Sequence, residues 1–205
     1  MSQYFEYDPS LKDDIKHYDY TFKGNRLSFS TNSGIFSKER VDFGTNVLLN
    51  GLDDLSNNKK EILDLGCGNG IIGIAIKKAY PNSSITMADI NIKCVEISIQ
   101  NAKINKVNVN VIESDMYQNI TSTFDLILSN PPIRAGKKKV FEVVEEGYKH
   151  LNDGGEIICV IQKKQGAESL LKRMEEVYNN ASVIKKEKGY YLIKSIKTQE
   201  EKFNK

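Results

Sequence analysis

Tryptophan is absent from the chain, histidine occurs twice, cysteine three times and proline four times. Cys67, Cys94 and Cys159 stand far apart with no Cys-x-x-Cys pair, so neither a disulfide framework nor a zinc site is suggested. They read as small buried residues in a reducing compartment. His17 and His150 lie in polar stretches and read as surface residues, which leaves no convincing proton donor. No apolar run approaches the roughly 18 residues that a membrane-spanning helix requires. Residues 1–10 carry Glu and Asp rather than a basic stretch followed by an apolar one, so no export signal is read there. The chain is therefore expected in the cytoplasm with no membrane partner. Nor does either sign of charge dominate: 29 basic and 27 acidic residues give a net charge of +2, too even to argue nucleic-acid binding by itself. Clustering has to carry that argument. Arg134, Lys137, Lys138 and Lys139 form the densest basic group, and Lys185, Lys186 and Lys188 form a second. Away from any motif, such a run is read as a solvated face.

What is present suits one medium globular domain. The 205 residues are 40% hydrophobic and 27% charged, enough apolar material for a core. From Glu61 onward, short β-rich runs alternate with stretches of helical period, the pattern of βαβ units and a mostly parallel sheet. Strands are expected at 61–65, 84–89, 108–112, 124–129 and 156–161. Ala167, Leu170, Leu171, Met174, Val177 and Tyr178 recur at steps of three and four, which makes that segment a helix with one buried face. Asn152-Asp153-Gly154-Gly155 reads as a turn between the preceding helix and the next strand. Residues 181–184 and 190–196 read as a closing antiparallel hairpin. Residues 1–40 are expected to form a small β appendage packed on the core, with Gly24-Asn25 a turn ahead of the alternating Leu27-Ser28-Phe29-Ser30, and 41–205 the main domain. A short helix is expected within 41–50, stopped by Gly51.

Ile62-Leu63-Asp64-Leu65-Gly66-Cys67-Gly68-Asn69-Gly70 runs from a buried strand into a glycine-rich turn, and Ile71 onward begins a helix. Glycines leave no Cβ to collide with a cofactor in the crevice beyond the strand ends. Gly68, Gly70 and Gly73 also satisfy the dinucleotide pattern G-x-G-x-x-G, and Asp89, ending the next strand, would accept ribose hydroxyls from adenosylmethionine or NAD alike. Asp64 separates the two, since a carboxylate two residues before the first Gly suits a cationic methionine moiety and repels a pyrophosphate; it could also accept loop amides. Asp115, after the following strand, is placed to bond an adenine amino group while Met116 packs on the ring, though a turn Asp and a core Met would look the same.

The strand Phe124-Asp125-Leu126-Ile127-Leu128-Ser129 stops at Asn130-Pro131-Pro132-Ile133. Two prolines fix φ and end the ladder. The Asn130 side-chain oxygen and the Pro131 carbonyl are two acceptors that could hold the hydrogens of an exocyclic amine, aiming its lone pair at a methyl group. No strong base is needed, because the nitrogen becomes acidic once it attacks.

With these motifs in order, the chain resembles the small-methyltransferase-domain family of class I adenosylmethionine-dependent enzymes, and within it the ribosomal RNA small-subunit guanine-N2 methyltransferases. Gly34-Ile35-Phe36-Ser37, Val41-Asp42-Phe43-Gly44-Thr45, the Asp64 to Gly70 loop and Asn130-Pro131-Pro132-Ile133-Arg134-Ala135-Gly136-Lys137 carry the resemblance. It implies an α/β Rossmann-like fold with a seven-stranded, mostly parallel sheet and helices on both faces. The implied cofactor is S-adenosyl-L-methionine, leaving S-adenosyl-L-homocysteine. Phe36, Asp64, Gly66, Cys67, Gly68, Gly70, Asp89, Ile90, Asp115, Met116 and Asn130 would hold it. Asn130, Pro131, Pro132 and Ile133 would form the catalytic turn, and Phe36 and Ser37 would lie beside the pocket by resemblance. Similar rRNA enzymes often carry a second, degenerate domain copy, whereas this sequence holds one. RNA recognition, with ribosomal RNA or the small ribosomal subunit as partner, would then fall to the appendage and to Phe36, Ser37, Arg134, Lys137, Lys138 and Lys139, the cations pairing with phosphates. The rivals are methylation of a protein glutamine or DNA adenine, whose enzymes usually place an aromatic where Ile133 stands, a nicotinamide oxidoreductase, and a non-catalytic binding module.

Overall fold

The computed structural model describes residues 15–31, 41–53, 55 and 61–198. Phe36 and Ser37, with the rest of the Gly34 to Ser37 motif, lie outside the described residues. The chain begins with strands β1 (Lys16–Phe22) and β2 (Asn25–Thr31), paired antiparallel with Phe22 opposite Asn25. Their two-residue turn, Lys23-Gly24, has φ of +44° and +77°, the left-handed pair that a tight hairpin of right-handed twist demands. Leu27 and Phe29 point inward and are buried, and Tyr18 stacks on Phe29 at 5.7 Å.

Helix α1 (Phe43–Leu49) follows, and then strand and helix alternate: β3 (Glu61–Leu65), α2 (Ile71–Ala79), β4 (Ser84–Asp89), α3 (Ile92–Ile104), β5 (Asn110–Glu113), β6 (Phe124–Ser129), α4 (Lys137–Gly147), β7 (Leu151–Gln162), α5 (Ala167–Tyr178), β8 (Ser182–Glu187) and β9 (Tyr190–Ile196). Seven strands form one sheet in the order β5-β4-β3-β6-β7-β9-β8. Neighbours from β5 through β7 pair in parallel, while β9 lies antiparallel between β7 and β8. The expected seven-stranded, mostly parallel class I architecture is thus present. No helix among the described residues is long and apolar enough to cross a membrane.

Because both faces are covered, the central strands are apolar at nearly every position rather than at alternate ones. Ile62, Leu126, Leu128, Ile158 and Val160 pack with α1, α2 and the N-terminal hairpin. Their neighbours Leu63, Leu65, Ile127, Ile157, Cys159 and Ile161 pack with α4 and α5. All three cysteines are free and buried.

Two local expectations are corrected. The third parallel strand, expected at 108–112, runs Asn110–Glu113. Asn152-Asp153-Gly154-Gly155 is no turn before a strand but lies inside β7, where Leu151 pairs with Phe124 and Glu156 pairs with Leu126. The extra residues loop out as a bulge, and Gly154 takes φ +75°. A Cβ at Gly155 would sit 2.8 Å from the Asn152 carbonyl oxygen. The same glycines that signal a turn here permit a strand to swallow extra residues.

The N-terminal hairpin is fastened by two carboxamides. Asn101 Oδ1 accepts the Ser30 amide at 2.8 Å and its Nδ2 donates to the Ser30 carbonyl at 3.0 Å. Asn105 repeats this with Ser28, at 3.0 and 2.8 Å. Four helical residues rise about 6 Å, close to the roughly 6.7 Å of two strand residues, so side chains spaced i, i+4 on α3 match alternate residues of β2. Asn101 Nδ2 also donates to the Asn69 carbonyl at 2.9 Å, joining the hairpin to the glycine loop. Asn101→Ala would strip buried Ser30 and Asn69 groups of partners at once. We expect a loss of about 3 kcal/mol in denaturant unfolding with the m-value unchanged; a loss below about 1 kcal/mol would show that water replaces the carboxamide.

Candidate active site

Leu65 pairs with both Ala88 and Ser129, so β3, β4 and β6 end at one edge of the sheet. The three glycines after β3 turn the chain sharply there. Gly66, Gly68 and Gly70 have φ of +75°, +57° and +82°, and the Gly66 and Cys67 amides both donate to the Ala88 carbonyl, at 2.8 and 3.0 Å. A Cβ built on Gly66 or Gly68 would meet nothing within 4 Å, so these two border open space. Gly73 serves a different end: its Cβ would lie 2.6 Å from Met87 Sδ, and its absence lets α2 lie close on β4. Gly70 is crowded too, with a Cβ 3.0 Å from Ser98 Oγ. Cys67 is buried beside Ser98, 3.7 Å away, and burial pushes its thiol well above the ordinary range. It fills space and does not act as a nucleophile.

Asp64 is completely buried. Its Oδ2 accepts the Gly73 amide at 2.9 Å, while Oδ1 has no hydrogen-bond partner. Burial raises the carboxyl to about 7 against the pull of the Gly73 amide, and the nearby Asp89 adds to the rise. A buried acceptor left unpaired costs about 1–3 kcal/mol, which a donor from a ligand would recover. Asp89 is held by three amides: Gly68 and Asn91, each at 2.9 Å, and Ile90. Burial still raises its pKa. Ile90 is half-buried beside it.

Asp115 and Met116 follow β5 at the same edge, both half-buried, with Met116 at φ +52°. The Ser114 hydroxyl braces this turn, donating to the Met116 carbonyl at 2.8 Å and accepting from the Asn119 amide at 3.1 Å. Lys139 Nζ lies 2.8 Å from Asp115 Oδ1 and 3.2 Å from Glu142 Oε2. The structure therefore separates Lys139 from the exposed Arg134, Lys137 and Lys138 and puts it on the Asp115 side.

The Asn130 turn closes the site. Ser129 Oγ donates to the Leu65 carbonyl at 2.8 Å, which fixes the end of β6 against the start of the glycine loop. Asn130 Nδ2 donates to Asp42 Oδ2 at 2.8 Å and contacts Thr45 Oγ1 at 3.2 Å. A carboxylate only accepts, so Asp42 decides which way the Asn130 amide is turned, and Oδ1 becomes the end available to a substrate. Asp42 is itself the N-cap of α1, accepting the Thr45 amide at 3.2 Å. The Pro131 carbonyl accepts the Ile133 amide at 2.9 Å and keeps a second lone pair. Pro131 is buried; Pro132 and Ile133 are half-buried, with Ile133 starting a 3₁₀ turn, Ile133–Ala135.

The fold thus brings Asp64, the glycine loop, Asp89, Ile90, Asp115, Met116 and the Asn130 turn to one sheet edge. Sequence reading gave no site role to Asp42 and Thr45, though both stand in a motif that carries the resemblance, nor to Ser129, all of which orient the turn, nor to Asn69, Asn101 and Tyr18, which hold the loop from behind. Only Asp42 left a signal, as an N-cap residue ahead of an apolar helix. Among the described residues no group of His, Cys, Asp and Glu could hold a metal ion.

A family model described as Methyltransferase small domain matches residues 26–194. The Bacillus subtilis (strain 168) protein YbxB, described as uncharacterized, is 41% identical over 197 residues, which is 95% of this chain and 98% of that one. The Pasteurella multocida (strain Pm70) protein named ribosomal RNA small subunit methyltransferase C is 38% identical over 155 residues, 74% of this chain and 46% of that one. The chain spans about half the length of the curated relatives of that name. A T. thermophilus 16S rRNA N2 methyltransferase, solved in complex with AdoMet and guanosine, matches with a TM-score of 0.79 at 21% identity, over 92% of this chain and 51% of that one. A ribosomal protein methylase from Lactobacillus delbrueckii subsp. bulgaricus matches with a TM-score of 0.67 at 18% identity, over 78% and 81%. The fold is shared by an RNA enzyme and a protein enzyme, so the fold does not choose the substrate.

Proposed function

The chain belongs to the methyltransferase small domain family of S-adenosylmethionine-dependent enzymes, and we propose that it methylates the exocyclic N2 amine of a guanine in ribosomal RNA. The family removes the nicotinamide reading of the Gly68, Gly70 and Gly73 spacing. The residues present fit the cofactor. Asp64 Oδ1, buried and unpartnered, suits the cationic amino group of the methionine portion, and Gly66 and Gly68 leave room against the backbone. Asp89 would hold the ribose hydroxyls and Asp115 the adenine amino group, with Ile90 and Met116 packing on the base. When bound, the cofactor supplies an electrophilic methyl on a sulfonium.

The rest is positioning. The observation that carries the reading is the Asn130 amide, turned by Asp42 so that Oδ1 is left to accept. Asn130 Oδ1 and the free lone pair of the Pro131 carbonyl accept the two hydrogens of the amine, so its nitrogen lone pair lines up with the methyl. Transfer would exchange the S–CH₃ bond for an N–CH₃ bond and release S-adenosylhomocysteine, and the two acceptors would hold the acidified amine until its proton passes to solvent. Ile133 offers an apolar edge to the base. Lys137 and Lys138 are exposed in the first turn of α4, with Arg134 exposed in the 3₁₀ turn before it; the helix dipole there favours acids and disfavours lysine, and a phosphate beside them would reverse that penalty.

Incubation with labelled S-adenosylmethionine and either naked rRNA or immature small subunits tests this. Label recovered as N2-methylguanosine, and lost in Asn130→Ala, is the expected result. Label in a protein glutamine or in DNA adenine instead would replace guanine as the substrate.

A further inference from the structure

We propose that Lys163, Lys164, Lys186 and Lys188 form a second basic rim that grips the RNA backbone beside the Asn130 turn, on the side away from the glycine loop. This rests on the RNA reading above and adds a contact surface to it. The argument begins from strand lengths. β6 ends at Ser129, which pairs with Cys159 of the adjacent β7, and β7 runs three residues further to Gln162, which pairs with Tyr190 of β9. At about 3.3 Å per residue, the end of β7 and the start of β9 reach roughly 10 Å beyond the end of β6, from which the Asn130 turn begins.

The overhang is built as one knob. The Lys163 amide donates to the Gly189 carbonyl at 2.8 Å, tying the 3₁₀ turn Lys163–Gln165 to the Lys188-Gly189 turn of the C-terminal hairpin. Gln162 Nε2 donates to the Tyr190 hydroxyl at 2.6 Å. Lys163, Lys164, Lys186 and Lys188 are all exposed on it. The knob also reaches the catalytic turn through contacts. Lys188 Nζ sits 5.2 Å from the centre of the Phe43 ring, and Phe43 packs on Tyr190 at 5.4 Å. Phe43 follows Asp42, the residue that turns Asn130.

The charge is in excess. Glu187 pairs with Lys185 at 3.2 Å, and Glu168 lies 4.0 Å from Lys163. Lys164, Lys186 and Lys188 have no carboxylate within ion-pair distance among the described residues. Lys186 and Lys188 are instead laid over aromatic rings, 4.8 Å from Tyr191 and 5.2 Å from Phe43. Lys186 over Tyr191 stands on the α4 and α5 face of the sheet and Lys188 over Phe43 on the α1 face, so the knob carries exposed cations on both faces. A strand running from the Asn130 turn toward the knob would meet phosphate-binding groups beyond Arg134, Lys137 and Lys138, which suits an unpaired, splayed-out base.

The test compares Lys164→Gln/Lys188→Gln with a double variant of equal charge loss elsewhere, Lys103→Gln/Lys172→Gln, measuring RNA affinity against salt. The rim variant is expected to flatten the slope of log K against log salt by about 1.4, some 0.7 for each single-stranded phosphate contact. The control variant should match wild type, and adenosylhomocysteine affinity should be equal in all three. Equal slopes in the rim and control variants would overturn the rim while leaving the RNA reading intact. If the wild type neither binds nor methylates RNA, both fall. Competition by polyglutamate as strong as by RNA would overturn the rim as an RNA surface.

Discussion

Asn130→Ala is expected to lower kcat by about 10²- to 10³-fold, the usual cost of losing one preorganised polar contact at the reacting centre, with a far smaller change in affinity for adenosylhomocysteine. Asp42→Ala should lower the rate without touching substrate, by about twofold if both amide orientations become equally populated. With Asp42 present, only one orientation of the Asn130 amide is satisfied, because Nδ2 must face the carboxylate. Without it, Thr45 Oγ1 remains as neighbour, and a hydroxyl accepts or donates equally well, so both orientations become populated. About half of the molecules would then present NH₂ to an amine, donor against donor. Asp42 also caps α1, and Asp42→Ser keeps a capping side chain without the carboxylate. Asp42→Ser should therefore melt like wild type and still lose rate. A full-rate Asp42→Ser would mean that Asn130 holds its orientation unaided.

The second large effect is a pH dependence at Asp64. Its folded pKa of about 7 lies above the ordinary 3.8, so between those values the folded protein holds a proton that the unfolded chain has released. Stability without cofactor is therefore full below the lower value and declines as pH rises toward the upper one, by about 4 kcal/mol in all. Cofactor binding runs the other way, because a cationic amino group at Oδ1 favours the ionised form and binding must expel the proton. Adenosylhomocysteine affinity should rise about tenfold per pH unit up to the Asp64 pKa and then level off. Asp64→Asn should bind weakly and show no such rise. Asp89, close by and also raised, is held by three amides, and Asp89→Asn should lose affinity while keeping the rise with pH, its plateau reached at lower pH because Asp89 no longer raises Asp64. Calorimetric titration from pH 5 to 8 measures both; a flat wild-type profile would remove Asp64 from the cofactor's amino group.

Much of the framework was legible because the forces that set it are local. The bounds of β3, β4 and β6 follow from apolar runs ended by Gly66, by Asp89 and by two prolines, signals that act within a few residues. The glycine loop and the Asn130 turn were found for the same reason. The missed parts are long-range or depend on what surrounds a residue. Asp42 meets Asn130 across 88 residues, and Asn101 meets Ser30 across 71. Asn101 on α3 and Asn105 at its C-cap look like ordinary helix residues, and nothing local says that their carboxamides clasp β2. Gly154 and Gly155 misled because a bulge and a turn need the same φ freedom. Lys139 sits in a run of lysines, yet the residue it faces, Asp115, belongs to another βα unit. Charge runs report composition, and only the fold reports pairing.

The carboxamide clasp on the N-terminal hairpin also sets an order of events during synthesis. β2 leaves the ribosome 71 residues ahead of Asn101, which at typical elongation rates is a wait of about 4–14 s. The Asn69 carbonyl of the glycine loop waits on the same side chain. A nascent chain that has made every glycine of the loop still lacks the helix that holds the loop in place. Cofactor binding is thus coupled to completion of α3, and a ribosome stalled before that point carries a chain unable to consume methyl donor.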